Sequence, residues 1–209
     1  MIVHNIPQRS DEWYRLRAGM PTASEFSSIV TSTGAESKSR QKYAYQLAAE
    51  KYAMGTCGTW GGNVHLERGR FLEEDALRAY AFVEGVEVVP CGFVTDDDVT
   101  HGCSPDGLVG NDGMAEVKCL KAENHIAALL YWRKNGRCPT DYVQQTQGQM
   151  MICGRSWCDL IFYHPNLPMF VIRQTPDAEV VAGLLDGIIK IIVERDEVVS
   201  ILNGVNYGG

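Results

Sequence analysis

The stretch between residues 101 and 118 constrains the fold more tightly than any other part of this chain of 209 residues. It contains the tripeptide Asn-Asp-Gly at 111–113, a combination that accommodates the positive backbone angles of a tight hairpin turn. Short apolar runs stand on both sides of this turn signal, at 108–109 and 114–117. The sequence therefore predicts a β-hairpin.

Two acidic residues and a lysine lie on this predicted hairpin. Asp106 stands at the mouth of the first strand, whereas Glu116 and Lys118 are two residues apart on the second, so their side chains leave the same face. Converging carboxylates repel each other unless a cation lies between them, and hard oxygen ligands with room for water suit Mg²⁺ or Mn²⁺. The carbonyl of Val117 offers a further oxygen. The pattern predicts a metal site at which Lys118 orients an attacking water or stabilises developing charge.

The same residues also allow a structural interpretation. Asp106 can cap a turn, and Glu116 and Lys118 can form an ion pair without binding anything. Taken alone, so short a pattern favours this structural interpretation, because ion pairs are common in proteins. The choice between the two interpretations depends on the rest of the chain.

Two segments of the chain resemble one nuclease family. Ser104-Pro-Asp-Gly-Leu followed by Glu116-Val-Lys resembles the PD-(D/E)xK nuclease signature and, more narrowly, that of the phage lambda-exonuclease family, also called YqaJ-like viral recombinases. The segment Trp13-x-x-x-Arg-x-Gly-x-x-Thr-Ala-Ser is similar to a second motif of that family. The resemblance implies an α/β fold with a restriction-endonuclease-like core, in which helices flank a mixed central sheet.

The resemblance also implies which residues contact DNA. Family members hold a DNA phosphate with an arginine and a serine of these motifs, and the expected phosphate-binding set here is Arg17, Thr22, Ser24 and Ser104. Some family members place a basic residue in the loop after the Thr-Ala-Ser motif, where this chain has Ser-Thr-Gly at 32–34. We therefore expect Lys38 or Arg40 to replace that contact.

Further active-site residues follow from the resemblance. A Gly-x-x-x-Glu helix of the family places its glutamate beside the metal, and it corresponds to Gly69 and Glu73 here. One glutamine of a later helix approaches the family's active site. Gln147 is the first choice for this residue, positioning the water together with Lys118, and Gln145 is the second.

The function that the resemblance implies is Mg²⁺-dependent hydrolysis of double-stranded DNA from an end, with Mn²⁺ as the expected substitute. Digestion runs 5′ to 3′ and leaves a 3′ single strand for recombination. The resemblance further implies a trimeric ring threaded by DNA and a single-strand annealing protein as partner. Two alternatives stay open, a structure-selective or restriction-type endonuclease on the same core and a non-catalytic scaffold that binds DNA ends.

The composition of the chain argues against several other classes of protein. The chain is 45% hydrophobic and 22% charged, which is typical of a globular protein, and we expect one domain spanning 1–209. No apolar run is long enough to cross a bilayer, so we expect a cytoplasmic protein. The net charge of −7 argues against a basic nucleic-acid coat protein, but a nuclease can concentrate its cations along one channel. Seven cysteines without a Cys-x-x-Cys pair indicate neither a zinc site nor a disulfide framework.

Local signals predict the order of the elements. One helix begins after Ser10, and a second spans 21–30 with Thr22 and Glu25 as a capping box. A strand is predicted over 86–94, with Pro90 at an edge or bulge. Further helices are predicted at 38–52, 66–80, 122–135, 140–152 and 178–202, with a second hairpin at 158–173.

Overall fold

The computed structural model describes residues 1–53 and 64–205, with the backbone alone over 64–70. Within these ranges the α-helices are α1 (Asp11–Arg17), α2 (Arg40–Tyr52), α3 (Val64–Glu84), α4 (Ala122–Asn135), α5 (Thr140–Cys153) and α6 (Ala178–Gly204), and a 3-10 helix spans Ala23–Ser28. The strands are β1 (Ile2–His4), β2 (Val88–Val89), β3 (Phe93–Thr95), β4 (Gly102–Cys103), β5 (Gly107–Val109), β6 (Gly113–Lys118), β7 (Trp157–His164) and β8 (Leu167–Gln174).

Five of these strands form a mixed sheet in the order β2-β5-β6-β7-β8. β6 and β7 are parallel, and the other neighbours in this sheet are antiparallel. Because a parallel pair needs a crossover connection, α4 and α5 lie between β6 and β7 in the chain. β1, β3 and β4 form a separate antiparallel sheet. A mixed sheet flanked by helices confirms the predicted fold class.

The two central strands, β6 and β7, bury side chains on both faces of the sheet. One face packs against α3 through a cluster whose buried members are Ala76, Tyr80, Val109, Ala115, Val117 and Ile161. The opposite face packs against α4 through a cluster whose buried members are Ala128, Leu160, Phe162, Phe170 and Ile172. Paired residues of neighbouring strands share a face. Glu116, which is paired with Leu160, therefore lies on the α4 face, and Asp159, paired with Ala115, lies on the α3 face.

Both predicted hairpins are confirmed. β5 pairs with β6, and Val109 opposes Gly113 across the turn that the Asn-Asp-Gly signal predicts. β7 pairs with β8 along the whole of both strands, with a register shift between Phe162 and His164. The first hairpin carries the acidic residues into the middle of the sheet.

The closing helix is also confirmed, as α6. Its N-cap is Asp177, whose Oδ1 accepts hydrogen bonds from the backbone N–H groups of Glu179 and Val180. Its inner face buries Val180, Leu184, Ile188 and Ile191 in a core shared with α2 and the 3-10 helix. In the described part of the chain, no helix is both long and apolar enough to span a membrane.

Two local predictions are wrong. The strand predicted over 86–94 is instead β2 and β3, which belong to different sheets, and Pro90 between them has no N–H with which to continue a ladder. The helix predicted over 21–30 is the short 3-10 helix, and Thr22 at its cap position makes no side-chain capping bond. The hydroxyl of Thr22 accepts a hydrogen bond from Arg17 instead, at 3.2 Å.

Candidate active site

Asp106 is fixed at the mouth of β5. Its Oδ2 accepts a hydrogen bond from the backbone N–H of Val117 at 2.7 Å, which ties the acid to the opposite strand of the hairpin. Gly107 follows it, and a Cβ at that position would lie 2.2 Å from Cγ1 of Val88. Position 107 therefore requires glycine, because a side chain there would prevent β2 from approaching β5 this closely. Asp106 directly precedes this close contact between the two strands.

Glu116 and Lys118 leave the same face of β6, as the period of a strand predicts. Nζ of Lys118 donates a hydrogen bond to Oε1 of Glu116 at 2.8 Å. Glu116 is only 4% exposed. The structure thus brings both residues to the hairpin position where Asp106 meets Val117.

Helix α5 completes the surroundings of these charges with two glutamines, four residues apart on one helix face. Gln145 donates from Nε2 to Oε1 of Glu116 at 2.6 Å and accepts from Nζ of Lys118 at 2.7 Å. Gln149 donates from Nε2 to Oε2 of Glu116 at 2.8 Å. Both oxygens of Glu116 are therefore held, and Gln145 fixes the ammonium group of Lys118 beside it.

The charges of the site do not balance. Burial, and then the negative charge of Glu116, raise the pKa of Asp106 well above its ordinary value, although the hydrogen bond from Val117 opposes this. Burial lowers the pKa of Lys118, but the charge of Glu116 and the hydrogen bond to it outweigh burial, and the pKa is raised. Lys118 is therefore an ammonium donor at neutral pH, and Asp106 and Glu116 share this one positive charge.

The oxygen donors of this site fit a hard divalent cation. Asp106 and Glu116 offer carboxylate oxygens, Val117 offers a carbonyl, and water can fill the remaining positions. A bound cation would offset the burial and the negative charge of Glu116 that raise the pKa of Asp106. Among the residues described, no three acidic, histidine or cysteine side chains stand close enough to form a metal-binding group. The donor set thus fits a partly hydrated cation and does not form a complete protein cage.

Glu73 faces the same region from α3. It lines a cleft of about 570 Å³ together with Asp106, and its negative charge adds to the causes that raise the pKa of that acid. Its carboxylate is held by Arg9, whose Nη2 donates to both oxygens at 2.9 and 3.0 Å. Glu73 therefore lies at the edge of the site in an ion pair. Gly69, the other residue of the predicted helix motif, lies where the structure describes only the backbone.

The predicted phosphate-binding residues come together around Arg17. Its Nη2 donates to the hydroxyls of Thr22 at 3.2 Å and Ser24 at 3.5 Å, and its Nη1 donates to the hydroxyl of Ser104 at 3.5 Å. The guanidinium carbon lies 4.0 Å from the ring centroid of Trp13, whose indole N–H donates to Ser104 at 2.9 Å. We refer to Trp13, Arg17, Thr22, Ser24 and Ser104 as the Arg17 cluster.

The Arg17 cluster has the properties of an anion site. Burial lowers the pKa of Arg17, and in the described ranges its guanidinium forms no ion pair with a carboxylate. Glu25 and Glu50 line the same cleft and act on Arg17 only through their charge, so the guanidinium stays among hydroxyl groups that suit a bound phosphate. The cluster borders a cleft of about 190 Å³ that Arg17 and Thr22 line.

Two predicted DNA contacts lie elsewhere. Arg40 forms ion pairs with Glu36 and with Glu194 of α6, each at 2.7 Å. Lys38 lines a cavity of about 450 Å³ beside Arg40, and this cavity shares no lining residue with the cleft at Arg17. The structure therefore does not bring Lys38 and Arg40 to the Arg17 cluster, and Arg40 joins α2 to α6 instead.

The structure places Gln147, the first choice for the active-site glutamine, away from the predicted site. It is 3% exposed, donates from Nε2 to the carbonyl of Thr175 at 2.9 Å and accepts from the N–H of Asp177 at 2.7 Å. These bonds join α5 to the chain that enters α6. A helix turns about 100° per residue, so Gln147 cannot share the face of Gln145. Gln145, the second choice, reaches the site.

Sequence reasoning missed two residues. Gln149 could have been found, because it lies four residues after Gln145 and hence on the same helix face. Arg9 carries no comparable signal, since its partner Glu73 is 64 residues away. Only the folded chain brings them together.

A family model for the YqaJ-like viral recombinase domain matches residues 12–156 of this chain. That range contains the Arg17 cluster, the β5–β6 hairpin and the whole of α5. No match was found among curated proteins.

Several crystal structures are similar to this chain. An alkaline exonuclease from Laribacter hongkongensis, LHK-Exo, has a TM-score of 0.78 and 30% sequence identity, covering 93% of this chain and 96% of its own. The structure of LHK-Exo in complex with dAMP has a TM-score of 0.79 and 29% identity, with the same coverage. A phage-related exonuclease from Haemophilus somnus 129PT has a TM-score of 0.68 and 14% identity over 88% of this chain and 96% of its own, which shows a likeness of fold alone.

Proposed function

The chain belongs to the YqaJ-like viral recombinase family, and from this premise we propose that it is a metal-dependent exonuclease that digests one strand of duplex DNA from its 5′ end. The product is a 3′ single-stranded overhang for recombination by strand annealing. The likeness to an alkaline exonuclease over nearly the whole chain supports DNA hydrolysis. The observation that carries the proposal is the convergence of Asp106, Glu116 and Lys118.

The Arg17 cluster supports attack near a DNA end. Ser104 belongs to this cluster and lies two residues before Asp106 in the chain. Two residues of extended chain span at most about 7 Å, so phosphates bound at Arg17 and at Asp106 can belong to neighbouring nucleotides. A terminal 5′-phosphate on Arg17 would thereby place the first phosphodiester at the acidic residues.

The residues of the site have different roles in the proposed hydrolysis. Asp106, Glu116 and the carbonyl of Val117 would hold the cation, which when bound polarises the phosphodiester and lowers the pKa of a water. Lys118 donates from Nζ to the attacking water or to the phosphate oxygen on which charge develops, and Gln145 keeps that ammonium group in place. The water oxygen bonds to phosphorus as the bond to the 3′ oxygen of the terminal nucleotide breaks, which releases a 5′-mononucleotide.

Mg²⁺ is the proposed cation, and Mn²⁺ its substitute. Both accept carboxylate, carbonyl and water oxygens, whereas neither requires the histidine or cysteine ligands that softer metals prefer. The two carboxylates offered by Asp106 and Glu116 are typical of the few protein ligands through which Mg²⁺ is held beside substrate phosphates.

We also propose a homotrimeric ring and a single-strand annealing protein as partner, both from the family resemblance. A ring would surround the duplex and place cations along its channel, consistent with a net charge of −7 for the chain as a whole. Light scattering coupled to size-exclusion chromatography measures the molar mass. A mass of three chains supports the ring, and a mass of one chain at working concentration contradicts it.

A labelled-end digestion tests the activity itself. A linear duplex carries one label at the 5′ end and another at the 3′ end of the same strand, with or without a 5′-phosphate, and is incubated with Mg²⁺, Mn²⁺ or a chelator. We expect the 5′ label to appear first and only with a cation, and to appear faster from the phosphorylated end, from which it is released as a mononucleotide.

The same assay separates the alternatives. Covalently closed circular duplex should stay intact, and cleavage of the circle would favour an endonuclease. A linear duplex that persists with both cations, although the protein binds its ends, would favour a non-catalytic scaffold.

A further inference from the structure

Arg9 has an unusual backbone conformation beside the candidate active site. Its φ of 68° lies in the left-handed region, and only Val99 shares this feature among the described residues other than glycine. A side chain with a Cβ adopts this conformation at a cost, and strained residues of this kind cluster at functional sites. The local structure of the chain must therefore hold Arg9 in place.

The neighbours of Arg9 provide that support. Gln8 donates from Nε2 to the carbonyls of Cys91 at 3.1 Å and Pro105 at 3.2 Å, so it links this segment to the residue before Asp106. Ser10 caps α1 by accepting a hydrogen bond from the N–H of Trp13 at 3.2 Å. Arg9 lies between these two anchors, which fix the direction in which its side chain leaves the backbone.

That direction leads to Glu73. The Nη2 atom of Arg9 donates to both carboxylate oxygens, and the two side chains are 32% and 30% exposed. The pair lines the cleft of about 570 Å³ that also contains Asp106. Glu73 is thus the third carboxylate around this site, but its charge is neutralised by an arginine of the same chain.

A guanidinium and a divalent cation cannot both use Glu73 fully. Both carboxylate oxygens already accept from one nitrogen of Arg9, and a second positive charge brought to the same oxygens would be repelled by the guanidinium. In the described structure, Glu73 does not join Asp106 and Glu116 in a metal-binding group. Both of its carboxylate oxygens face Arg9 instead.

We propose that Arg9 is a positioning residue that competes with the divalent cation for Glu73. While no cation is bound, the guanidinium supplies the positive charge that Glu73 needs. When the cation binds, Glu73 leaves Arg9 and turns towards Asp106, which lines the same cleft, so the strength of the ion pair sets the affinity of the site for the cation. This inference rests on the proposed function, since it requires a cation at that site.

Calorimetric titration of the metal-stripped protein with MnCl₂ or MgCl₂, without DNA, tests the inference through binding. Arg9→Ala removes the guanidinium but leaves a residue with a Cβ in the strained backbone conformation. Arg9→Gly removes the guanidinium and also the strain, because glycine adopts this conformation readily. Arg78→Ala is the matched control, because it removes an exposed guanidinium that pairs with Asp75 on the same helix as Glu73. We expect both Arg9 variants to bind Mn²⁺ about fivefold more tightly than the wild type, and the Arg78 variant to match the wild type.

A second comparison shows whether Glu73 carries the effect. In a Glu73→Gln background, Arg9→Ala should leave the dissociation constant unchanged, because the contested carboxylate is absent. A gain that persists in this background would overturn the proposed competition. If Arg9→Ala fails to fold, Arg9→Gly carries the test, since glycine adopts the observed φ without strain.

The remaining outcomes separate this inference from the proposed function. An unchanged Mn²⁺ affinity in both Arg9 variants overturns the inference alone. A weaker affinity also overturns it, since Arg9 would then be supporting Glu73 as a ligand. A wild-type protein that binds neither Mn²⁺ nor Mg²⁺ overturns the proposed function, and the inference with it.

Discussion

Each face of the β6–β7 pair buries one acidic residue, and the two acids differ in the charges that surround them. On the α3 face, Asp159 accepts two hydrogen bonds from Arg173 at 2.8 and 2.7 Å and one from the hydroxyl of Tyr80 at 2.7 Å. On the α4 face, Glu116 accepts three hydrogen bonds as well, from Lys118, Gln145 and Gln149. The number of donors is the same, so hydrogen bonding alone does not distinguish Asp159 from Glu116, the acid that we propose binds a cation.

The difference lies in the charge balance. Asp159 has one arginine as its ionic partner, whereas Glu116 shares Lys118 with the partly exposed Asp106, whose pKa is raised by desolvation and by the charge of Glu116. On the α3 face, the negative charge of Asp159 is therefore balanced by Arg173 within the protein. Beside Glu116, Asp106 remains a surplus acid, which costs stability in the absence of a cation and is the basis of the proposed affinity for one.

The largest expected effect comes from exchanging the lysine of the functional face. Lys118→Ala should lower the cleavage rate about a thousandfold, because it removes a donor aimed at developing charge, while affinity for DNA changes little. Single-turnover digestion and fluorescence anisotropy measure the two quantities. Lys190→Ala, which removes an exposed lysine paired with Asp186, is the control and should cleave at the wild-type rate. Equal loss in both variants would contradict a special role for Lys118.

The structural face should respond in stability and leave catalysis unaffected. Asp159→Asn leaves Arg173 and Tyr80 without their ionised acceptor, and we expect the free energy of unfolding to fall by about 2 kcal/mol. Urea denaturation measures the loss, and cleavage per folded molecule should stay near the wild-type value. Loss of cleavage at full stability would show that both faces take part in catalysis.

Helix α5 offers a comparison between two glutamines that contact different partners. Gln145→Ala should lower the cleavage rate about tenfold, because Lys118 loses the acceptor that holds it. Gln147→Ala should leave that rate unchanged and instead destabilise the junction with α6 by about 1 kcal/mol. Measuring both variants by digestion and by denaturation checks the two effects, and the reverse pattern would restore Gln147 to the active site.

The smallest expected effect is a gain in stability at Asp106. In a chelator at pH 8, Asp106→Asn should raise the free energy of unfolding by about 1 kcal/mol while cleavage is lost. The sign follows from the raised pKa of Asp106, because the native carboxyl ionises unfavourably and stability falls as the pH rises through that pKa. The free energies of unfolding of the wild type and the variant should therefore diverge as the pH rises above about 4, the ordinary pKa of an aspartate in the unfolded chain. Denaturation curves at several pH values measure this, and an Asn variant less stable at pH 8 would contradict a surplus charge.

The sequence predicted the parts of the site that depend on local periodicity. The hairpin, the shared face of Glu116 and Lys118 and the proximity of Asp106 all follow from a turn signal and the period of a strand. The Arg17 cluster was identified through motifs of the resembling family. The hairpin lies within one short stretch of chain, whereas the Arg17 cluster joins the motif at 13–24 to Ser104, 87 residues from Arg17.

The errors have a common physical cause in long-range contacts. Thr22 is the exception, because Arg17, which donates to its hydroxyl, is only five residues away. Arg40 has the charge of a phosphate ligand, but α6 brings Glu194, which is 154 residues away, to it. Gln147 is held by the chain entering α6. Arg40 and Gln147 therefore contact partners whose position only the tertiary fold determines, so no local pattern could have assigned them.

The central claim is that Asp106 and Glu116 share a divalent cation. A crystal grown or soaked with MnCl₂, with data collected at the manganese absorption edge, tests it most directly. We expect one anomalous peak within bonding distance of both carboxylates and of the Val117 carbonyl. No peak at this position, or a manganese ion bound by only one of the two acids, would contradict the account.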